Sequence, residues 1–205
     1  MDLRITMIER GPARECDVVI AFLQAEIASS RYSNEYILPI LHHNQLSREH
    51  LIDRPDLESE YENGVRRAVL QAYRGFGANA FLFKGFPSDV AWRFVEIEPN
   101  DHHLLLFAKE DSWIRMSEGT RSVECLSKRI ARLEEVSETA DRVRAIQRDL
   151  TEGKSMAPLI LVEGENGTLI LVEGHTRATA YVGLNWPRFS ALLGFSATMH
   201  NWHYF

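Results

Sequence analysis

Cysteine is scarce in this 205-residue chain, which contains two, Cys16 and Cys125. Two cysteines so far apart in the chain do not make a disulfide framework. Long apolar runs are also missing, since stretches such as Leu104–Ala108 fall far short of the ~20 residues that span a bilayer. Charged residues occur throughout the N-terminus, which has no apolar core of a secretory signal. We therefore expect a cytoplasmic protein with no membrane partner.

Basic residues are outnumbered, with 23 Lys and Arg against 29 Asp and Glu, for a net charge of −6. This balance argues against a protein that coats nucleic acid, because such binding depends on many contacts between basic side chains and phosphates. Hydrophobic residues make up 45% of the chain and charged residues 25%, which is typical of a globular protein. The length suits one domain or two small ones.

The N-terminal part of the sequence has the periodicity of helices. Apolar residues recur at helical spacing from Asp17 to Ser29, and Pro39 would shorten a second helix around residues 34–43. A third apolar stripe runs in steps of four from Leu57 to Tyr73 and ends at Gly75. These patterns predict a helical region over residues 1–78.

Beyond residue 78 the pattern changes to strands and helices in turn. Residues 120–150 return to helical spacing, as one helix or as two with a break near Ser137. Runs rich in aromatic and aliphatic residues predict strands over Ala80–Lys84, Trp92–Glu98, His103–Ala108 and Trp186–Leu193.

The clearest local signal is a repeated hexapeptide. Leu-Ile-Leu-Val-Glu-Gly occurs at Leu159–Gly164 and again at Leu169–Gly174, with Asn166-Gly167 between the copies. Two buried strands joined around Asn-Gly predict an antiparallel hairpin. The second copy continues into His175-Thr176-Arg177, where we expect a helix to begin within two or three residues of Gly174.

This strand–glycine–helix junction is the best candidate site. The first N–H groups of a helix are unpaired and the helix dipole is positive there, so an anion such as phosphate is stabilised. Thr176 adds a hydroxyl, His175 a polar ring and Arg177 a guanidinium that can hold two phosphate oxygens. A purely structural interpretation is equally open: Thr176 caps the helix, Gly174 makes the turn and Arg177 pairs with a surface carboxylate.

The segment from Leu159 to Tyr181 resembles the core motif of the ParB/sulfiredoxin superfamily. In that superfamily a hairpin leads into a helix through a Gly-x-x-Arg turn, here Gly174-His175-Thr176-Arg177. The resemblance implies that this turn binds the phosphates of a nucleotide, which is CTP in partition proteins and ATP or ADP in sulfiredoxins and free serine kinases. Residues 92–101 resemble the strand and acidic turn found upstream in the superfamily.

Departures from the motif narrow what the resemblance implies. Sulfiredoxins carry a reactive cysteine in the turn where this chain has His175, which argues against sulfinic acid reduction. Partition proteins have a second arginine-rich turn and a helix-turn-helix, which are not expected here. The His-Thr-Arg form is similar to the free serine kinase-like branch, with Glu173-Gly174 in place of Asp-Gly.

Phosphoryl transfer also needs carboxylates, to hold Mg²⁺ and to orient an acceptor hydroxyl. Glu96 and Glu98 are two residues apart on a predicted strand and so share one face. We predict Glu96 or Glu98 as the base and Glu173 as a second acid. An exposed, solvated strand face is the alternative for the first two.

Two further patterns are weaker signals. Residues 117–121 contain a second Gly-Thr-Arg turn, which we interpret as helix capping by Ser117 or Thr120 rather than as a second phosphate contact. Four of the eight histidines occur as two adjacent pairs, which make poor chelates, and His200 and His203 have no cysteine or carboxylate close by in the sequence, so no metal site is predicted.

The sequence thus predicts an α+β protein in which a helical region, residues 1–78, packs on a ParB/sulfiredoxin-like mixed α/β domain, residues 79–205. Its expected function is that of a nucleotide-dependent enzyme that binds ATP, ADP or CTP with Mg²⁺, either a phosphotransferase acting on a small hydroxyl-bearing substrate or a nucleotide hydrolase. A non-catalytic nucleotide-binding or protein-interaction module is one alternative. A nuclease-like protein is another, which the net charge argues against.

Overall fold

A mixed sheet organises the part of the chain that the computed structural model describes, residues 7–29 and 32–205. Within that part the sheet has six strands in the order β1-β2-β6-β4-β5-β3. The strands are β1 Ile8–Ala13, β2 Ala91–Ile97, β3 Leu105–Leu106, β4 Leu159–Glu163, β5 Leu169–Glu173 and β6 Phe189–Phe195.

Neighbouring strands pair in both directions. The pairs β1–β2, β2–β6 and β4–β5 are antiparallel, whereas β4–β6 and β3–β5 are parallel. Because β3 and β5 are parallel neighbours, their carboxyl ends lie at the same edge of the sheet. The segments that follow these two strands are therefore brought together there.

The helices are α1 Glu15–Ile27, α2 Leu38–His43, α3 Glu60–Arg74, α4 Asp111–Met116, α5 Val123–Ala131, α6 Glu138–Thr151 and α7 His175–Gly183. Side-chain caps define several of their starts: Ser59, Ser122 and Ser137 each accept a hydrogen bond from the backbone N–H three residues on. Helix α3 ends at Gly75 in the left-handed conformation, as its sequence predicts.

The repeated Leu-Ile-Leu-Val strands are buried on both faces of the sheet. On one face Ile160, Val162, Ile170 and Val172 pack with the N-terminal helices and with Trp202. On the other face the alternate residues of β4 and β5 pack with α5, α6 and α7. Each fully buried aliphatic side chain contributes about 1.5–3 kcal/mol, which explains why these strands have no polar alternation.

Several sequence predictions are confirmed. Strands β4 and β5 form the antiparallel hairpin, and α7 begins at His175, directly after Gly174. Of the two possibilities left open for residues 120–150, the structure has the second: two helices, α5 and α6, of which α6 begins directly after Ser137. The mixed helix and strand content agrees with the α+β expectation, and the boundary after residue 78 stays a prediction.

Other predictions are wrong. Residues 80–84 do not form a strand: Phe81–Phe83 is a short 3-10 turn between tight bends at Gly77 and Gly85, both at positive φ. The strand expected over 103–108 shrinks to the two residues of β3, because Pro99–Leu104 forms a 3-10 helix and the Phe107 N–H bonds to the Arg121 carbonyl.

The N-terminal region is not purely helical. Strand β1 pairs along the edge of the sheet with β2, and its register shifts between Glu9 and Gly11. The sequence pattern does not predict this strand, because it contains Gly11 and Pro12 and has three charged residues in or next to it. Such residues are common on edge strands and rare in central ones. The helical prediction for residues 1–6 lies outside the described residues.

Two smaller expectations are also corrected. Ser122 caps α5, whereas Ser117 and Thr120 bond to carbonyl groups of the preceding turn. In α3 the apolar residues spaced by four do not stay on one face of the helix, because the helix turns every 3.6 residues. Tyr61 is therefore 76% exposed while Val69 is buried.

Within the described part of the chain, no helix is both long and apolar enough to cross a membrane.

Candidate functional site

The turn between β5 and α7 has the geometry expected of a left-handed glycine. Gly174 has φ = +95°, a value that L side chains rarely adopt. A Cβ atom at this position would also overlap the Leu159 side chain. Residue 174 is therefore restricted to glycine both by backbone conformation and by space.

Helix α7 starts with the anion-binding groups that any helix N-terminus has. The backbone N–H groups of His175, Thr176 and Arg177 fall in its first turn, where no carbonyl within the helix can accept them. The Thr176 side chain is partly exposed beside them. Partial positive charge from the helix dipole adds to these donors.

The Arg177 side chain is hydrogen bonded to two backbone carbonyls and one carboxylate. Its guanidinium donates to the backbone carbonyls of Ala157 and Pro158, the latter at 3.2 Å, and to the Glu173 carboxylate. The residue is 8% exposed, so this ion pair is shielded from water. The carboxylate partner of Arg177 is therefore a residue of the turn itself.

His175 lies in an aromatic environment. Its ring is nearly parallel to Trp113 at 4.9 Å between centroids and to Phe107 at 5.9 Å. Its Nε2 atom is buried and has no hydrogen-bond partner among the described residues. Burial, with the nearby charges of Arg74 and Arg177, lowers the pKa of His175 from 6.5 to about 3. His175 is therefore neutral at pH 7, and among the described residues its buried Nε2 atom is left without a hydrogen-bond partner.

The N-terminal helices bring a second charged group to the same place. The Arg74 guanidinium, at the end of α3, donates to the Glu26 carboxylate of α1, with 2.8 Å from Nε to Oε1. The Tyr73 hydroxyl donates to the other oxygen of Glu26 at 2.5 Å. The ring of Tyr32 lies 4.0 Å from the Arg74 guanidinium carbon.

Electrostatic effects connect this group with the turn. Burial raises the pKa of Glu26 against the opposing effect of Arg74, and the charge of Glu173 raises it further. Burial also raises the pKa of Tyr73, to which the charges of Glu26 and Glu173 add. The charges of the two arginine–carboxylate pairs, Glu26–Arg74 and Glu173–Arg177, thus influence each other, and we refer to the two pairs together as the polar cluster.

Glu96 and Glu98 lie elsewhere on the sheet. Strand β2, which carries Glu96, is three strand spacings from β5, about 14 Å across the sheet. Arg188 contacts both carboxylates, at 3.4 Å from Glu96 and 2.6 Å from Glu98. A hydrogen bond from Arg10 lowers the pKa of Glu96 and so weakens it as a base. The structure brings Glu173 to the turn, but not these two residues.

Sequence reasoning missed the contribution of the N-terminal helices. Glu26 is an isolated acid in an otherwise apolar helical run, and Tyr73-Arg74 directly precedes the glycine that ends α3. A charge that interrupts a buried helix face signals a buried ion pair, but the sequence does not show where its partner lies. The contact of Trp113 with His175 could not be predicted from the sequence, because it depends on the pairing of β3 with β5.

Metal ligands are not clustered in the part of the chain that the structure describes. Over residues 7–29 and 32–205, no three His, Cys, Asp or Glu side chains are grouped so that they could hold a metal ion. Mg²⁺ that arrives with a nucleotide needs fewer protein ligands, since phosphates and water fill most of its positions. Glu173 is the carboxylate that the turn offers for such an ion.

Comparisons with protein-family models, curated proteins and solved structures find no match to this chain. The resemblance to the ParB/sulfiredoxin superfamily stays a prediction based on the sequence motif.

Proposed function

We propose that the turn Gly174–Arg177 binds the phosphates of a nucleotide, ATP, ADP or CTP with Mg²⁺. The observation that carries this proposal is the helix start at a left-handed glycine, with unpaired backbone N–H groups and with the charges of two arginines, Arg74 and Arg177, acting on the first residue of the helix. Both guanidiniums are close enough to His175 to lower its pKa. A polyanion would gain from the helix dipole and from both cations.

Each residue of the turn then has a role. The N–H groups of residues 175–177 and the Thr176 hydroxyl hydrogen bond to phosphate oxygens, while the neutral His175 ring adds a polar contact through Nε2. Arg177 holds the turn in place through the Ala157 and Pro158 carbonyls and lends its charge to the phosphates. Gly174 lets the backbone approach the ligand closely.

Phosphoryl transfer to a small hydroxyl-bearing substrate, or nucleotide hydrolysis, is the reaction we propose at this site. Glu173 is the carboxylate placed to accept the proton of the attacking hydroxyl or water. It is bound to Arg177 in the free chain, so this role requires the phosphates to take over part of that guanidinium. Glu96 and Glu98 stay the weaker prediction for the base because of their distance across the sheet.

A non-catalytic nucleotide-binding module is the second candidate. The observation that favours it is that both carboxylates of the polar cluster, Glu26 and Glu173, are already paired with arginine. Such a protein would bind the same nucleotides at the same turn and release them unchanged.

A thermal-shift panel with ATP, ADP and CTP in the presence of Mg²⁺ tests nucleotide binding, which both candidate functions require. A ligand specific to the native state stabilises it by ~2.7 kcal/mol at a hundredfold excess over its dissociation constant. We expect at least one nucleotide to raise the melting temperature. If none does so at millimolar concentration, both candidates are wrong.

Incubation of the stabilising nucleotide with water alone, and then with a set of small alcohols, distinguishes the two. Phosphate release or a phosphorylated product indicates catalysis, and unchanged nucleotide indicates the binding module. Glu173→Gln keeps a hydrogen bond to Arg177 but removes the proton acceptor. If Glu173 is the base, this variant still binds the nucleotide and loses turnover.

A further inference from the structure

A cavity lies away from the turn, between the start of α1, the second half of α3 and residues 76–92. Its volume is about 580 Å³, within the range of small-molecule sites. Residues 173–177 do not line it. A ligand here would therefore occupy a site separate from the proposed nucleotide site.

Aromatic side chains form one wall of this cavity. Phe76, Phe83, Phe86 and Trp92 all line it. Phe83 meets Phe76 and Phe86 edge to face, at 4.9 Å and 5.1 Å between ring centroids. Phe86 and Trp92 are nearly parallel, 6.4 Å apart, and both remain partly exposed. This wall offers ring faces and edges against which a flat aromatic ligand can pack.

Two other side chains that line the cavity, Arg67 and Asn79, present hydrogen-bond donors. Arg67 donates from Nε to the Glu15 carboxylate at 2.8 Å, and its guanidinium lies 5.5 Å from the centre of the Phe76 ring. In the part of the chain that the structure describes, its two terminal nitrogens make no hydrogen bond. The Asn79 side-chain oxygen accepts from the Gly85 N–H, which leaves the Asn79 amide nitrogen as a further donor.

From this combination we propose that the cavity binds a small aromatic carboxylate. The ring would pack on Phe86 and Trp92, and the carboxylate would take the two free nitrogens of Arg67 in a bidentate pair. Asn79 would donate to the same carboxylate. Glu15 stays on the Nε side of the guanidinium, so Arg67 would be shared between two carboxylates. This proposal does not depend on the nucleotide site.

Calorimetric titration of the full chain with four probes tests the proposal. Benzoate and indole-3-carboxylate carry both features, benzamide lacks the charge and cyclohexanecarboxylate lacks the aromatic ring. We expect the two aromatic carboxylates to bind saturably, and the other two probes to bind about tenfold more weakly or worse, a difference of 1.4 kcal/mol. Equal affinity for all four probes, or no saturable binding by either aromatic carboxylate, would overturn the proposal.

Variants of Arg67 test the assigned contact. Arg67→Met should weaken benzoate binding about tenfold or more, and Arg67→Lys should recover only part of the loss, because an ammonium cannot form the bidentate pair. Arg10→Met is the matched control, since Arg10 pairs with Glu96 outside the cavity. Unchanged benzoate affinity in the two Arg67 variants, with melting temperatures near that of the native chain, contradicts the assigned site.

Discussion

At the scale of single residues, His175 shows how its surroundings decide what a side chain can do. A histidine in a turn that we propose to bind phosphate suggests a cation, yet this ring lies against Trp113 and Phe107 with two arginines nearby. Both burial and like charge disfavour the protonated form. His175 is therefore a neutral hydrogen-bonding group with an aromatic packing role.

The lowered pKa of His175 predicts a specific loss of stability in acid. Between pH 6.5 and about 3 the unfolded chain binds a proton at this residue and the folded chain does not. The free energy of unfolding should thus fall as pH decreases through this window, by at most about 1.4 kcal/mol per pH unit, and should not respond to His175 above it.

Substitution His175→Phe tests this, because it keeps an aromatic ring and removes the proton site. Urea unfolding from pH 7 to pH 4 should show a flatter dependence for this variant than for the native chain. The exposed His103 provides the control: His103→Phe should leave the dependence as it is. Identical slopes for native chain and His175→Phe would contradict the burial of an uncharged ring at this position.

At the scale of elements, the N-terminal helices and the turn meet through buried charge. Helix α1 contributes Glu26, which is 2% exposed, and α3 contributes Arg74. A buried carboxylate is tolerated only if it is paired and hydrogen bonded, and Arg74 and Tyr73 meet that need. The ends of α1 and α3 are therefore fixed relative to each other beside the start of α7.

Removal of one partner of this pair should be far more harmful than removal of both. Arg74→Met leaves a buried carboxylate without its cation, which costs roughly 3–5 kcal/mol, whereas Glu26→Leu with Arg74→Met should recover most of that loss. Denaturant unfolding measures both. For comparison, Arg142→Met, which breaks the exposed pair with Glu138, should change the free energy of unfolding little. A loss for Arg74→Met as small as that of Arg142→Met would be inconsistent with a buried pair.

Elements with a strong local pattern were predictable from sequence, and elements defined by distant partners were not. The hairpin of β4 and β5 is encoded by continuous apolar runs around Asn166-Gly167, and α7 by the glycine before it. Strand β1 carries no such pattern, and it is a strand because β2 offers an edge to pair with. The site follows the same rule: Gly174–Arg177 is local, while Glu26 and Arg74 reach it only through tertiary packing.

At the scale of the whole molecule, both halves of the sequence share one sheet. Strand β1 pairs with β2, and α1 and α3 pack in the same core as β4, β5 and Trp202. The sheet is thus covered on one face by N-terminal helices and on the other by α5, α6 and α7.

This arrangement predicts that the N-terminal helices and the sheet unfold together. All four tryptophans lie beyond residue 90, and Trp202 packs in the core that the sheet shares with the N-terminal helices, so their fluorescence reports on the sheet and on that core. Far-ultraviolet circular dichroism reports on helices throughout the chain. The two signals should give coincident urea transitions, as for a two-state unit. Transitions at clearly different urea concentrations would show that the N-terminal helices and the sheet unfold separately.

The central claim is that a nucleotide phosphate binds at the start of α7, and Thr176 allows a direct test of it. An acidic residue in the first turn is favourable for the helix itself, so Thr176→Glu should keep or raise the melting temperature. The glutamate carboxylate would repel a phosphate at this position. Thr176→Gln is the control, because a glutamine side chain has nearly the same shape as a glutamate side chain but no charge.

The deciding measurement is the dissociation constant of the stabilising nucleotide, with Mg²⁺, for the native chain and these two variants. We expect at least a tenfold loss of affinity in Thr176→Glu, about 1.4 kcal/mol, with Thr176→Gln close to the native chain and both variants folded. Equal affinity in Thr176→Glu and the native chain would show that the phosphates bind elsewhere.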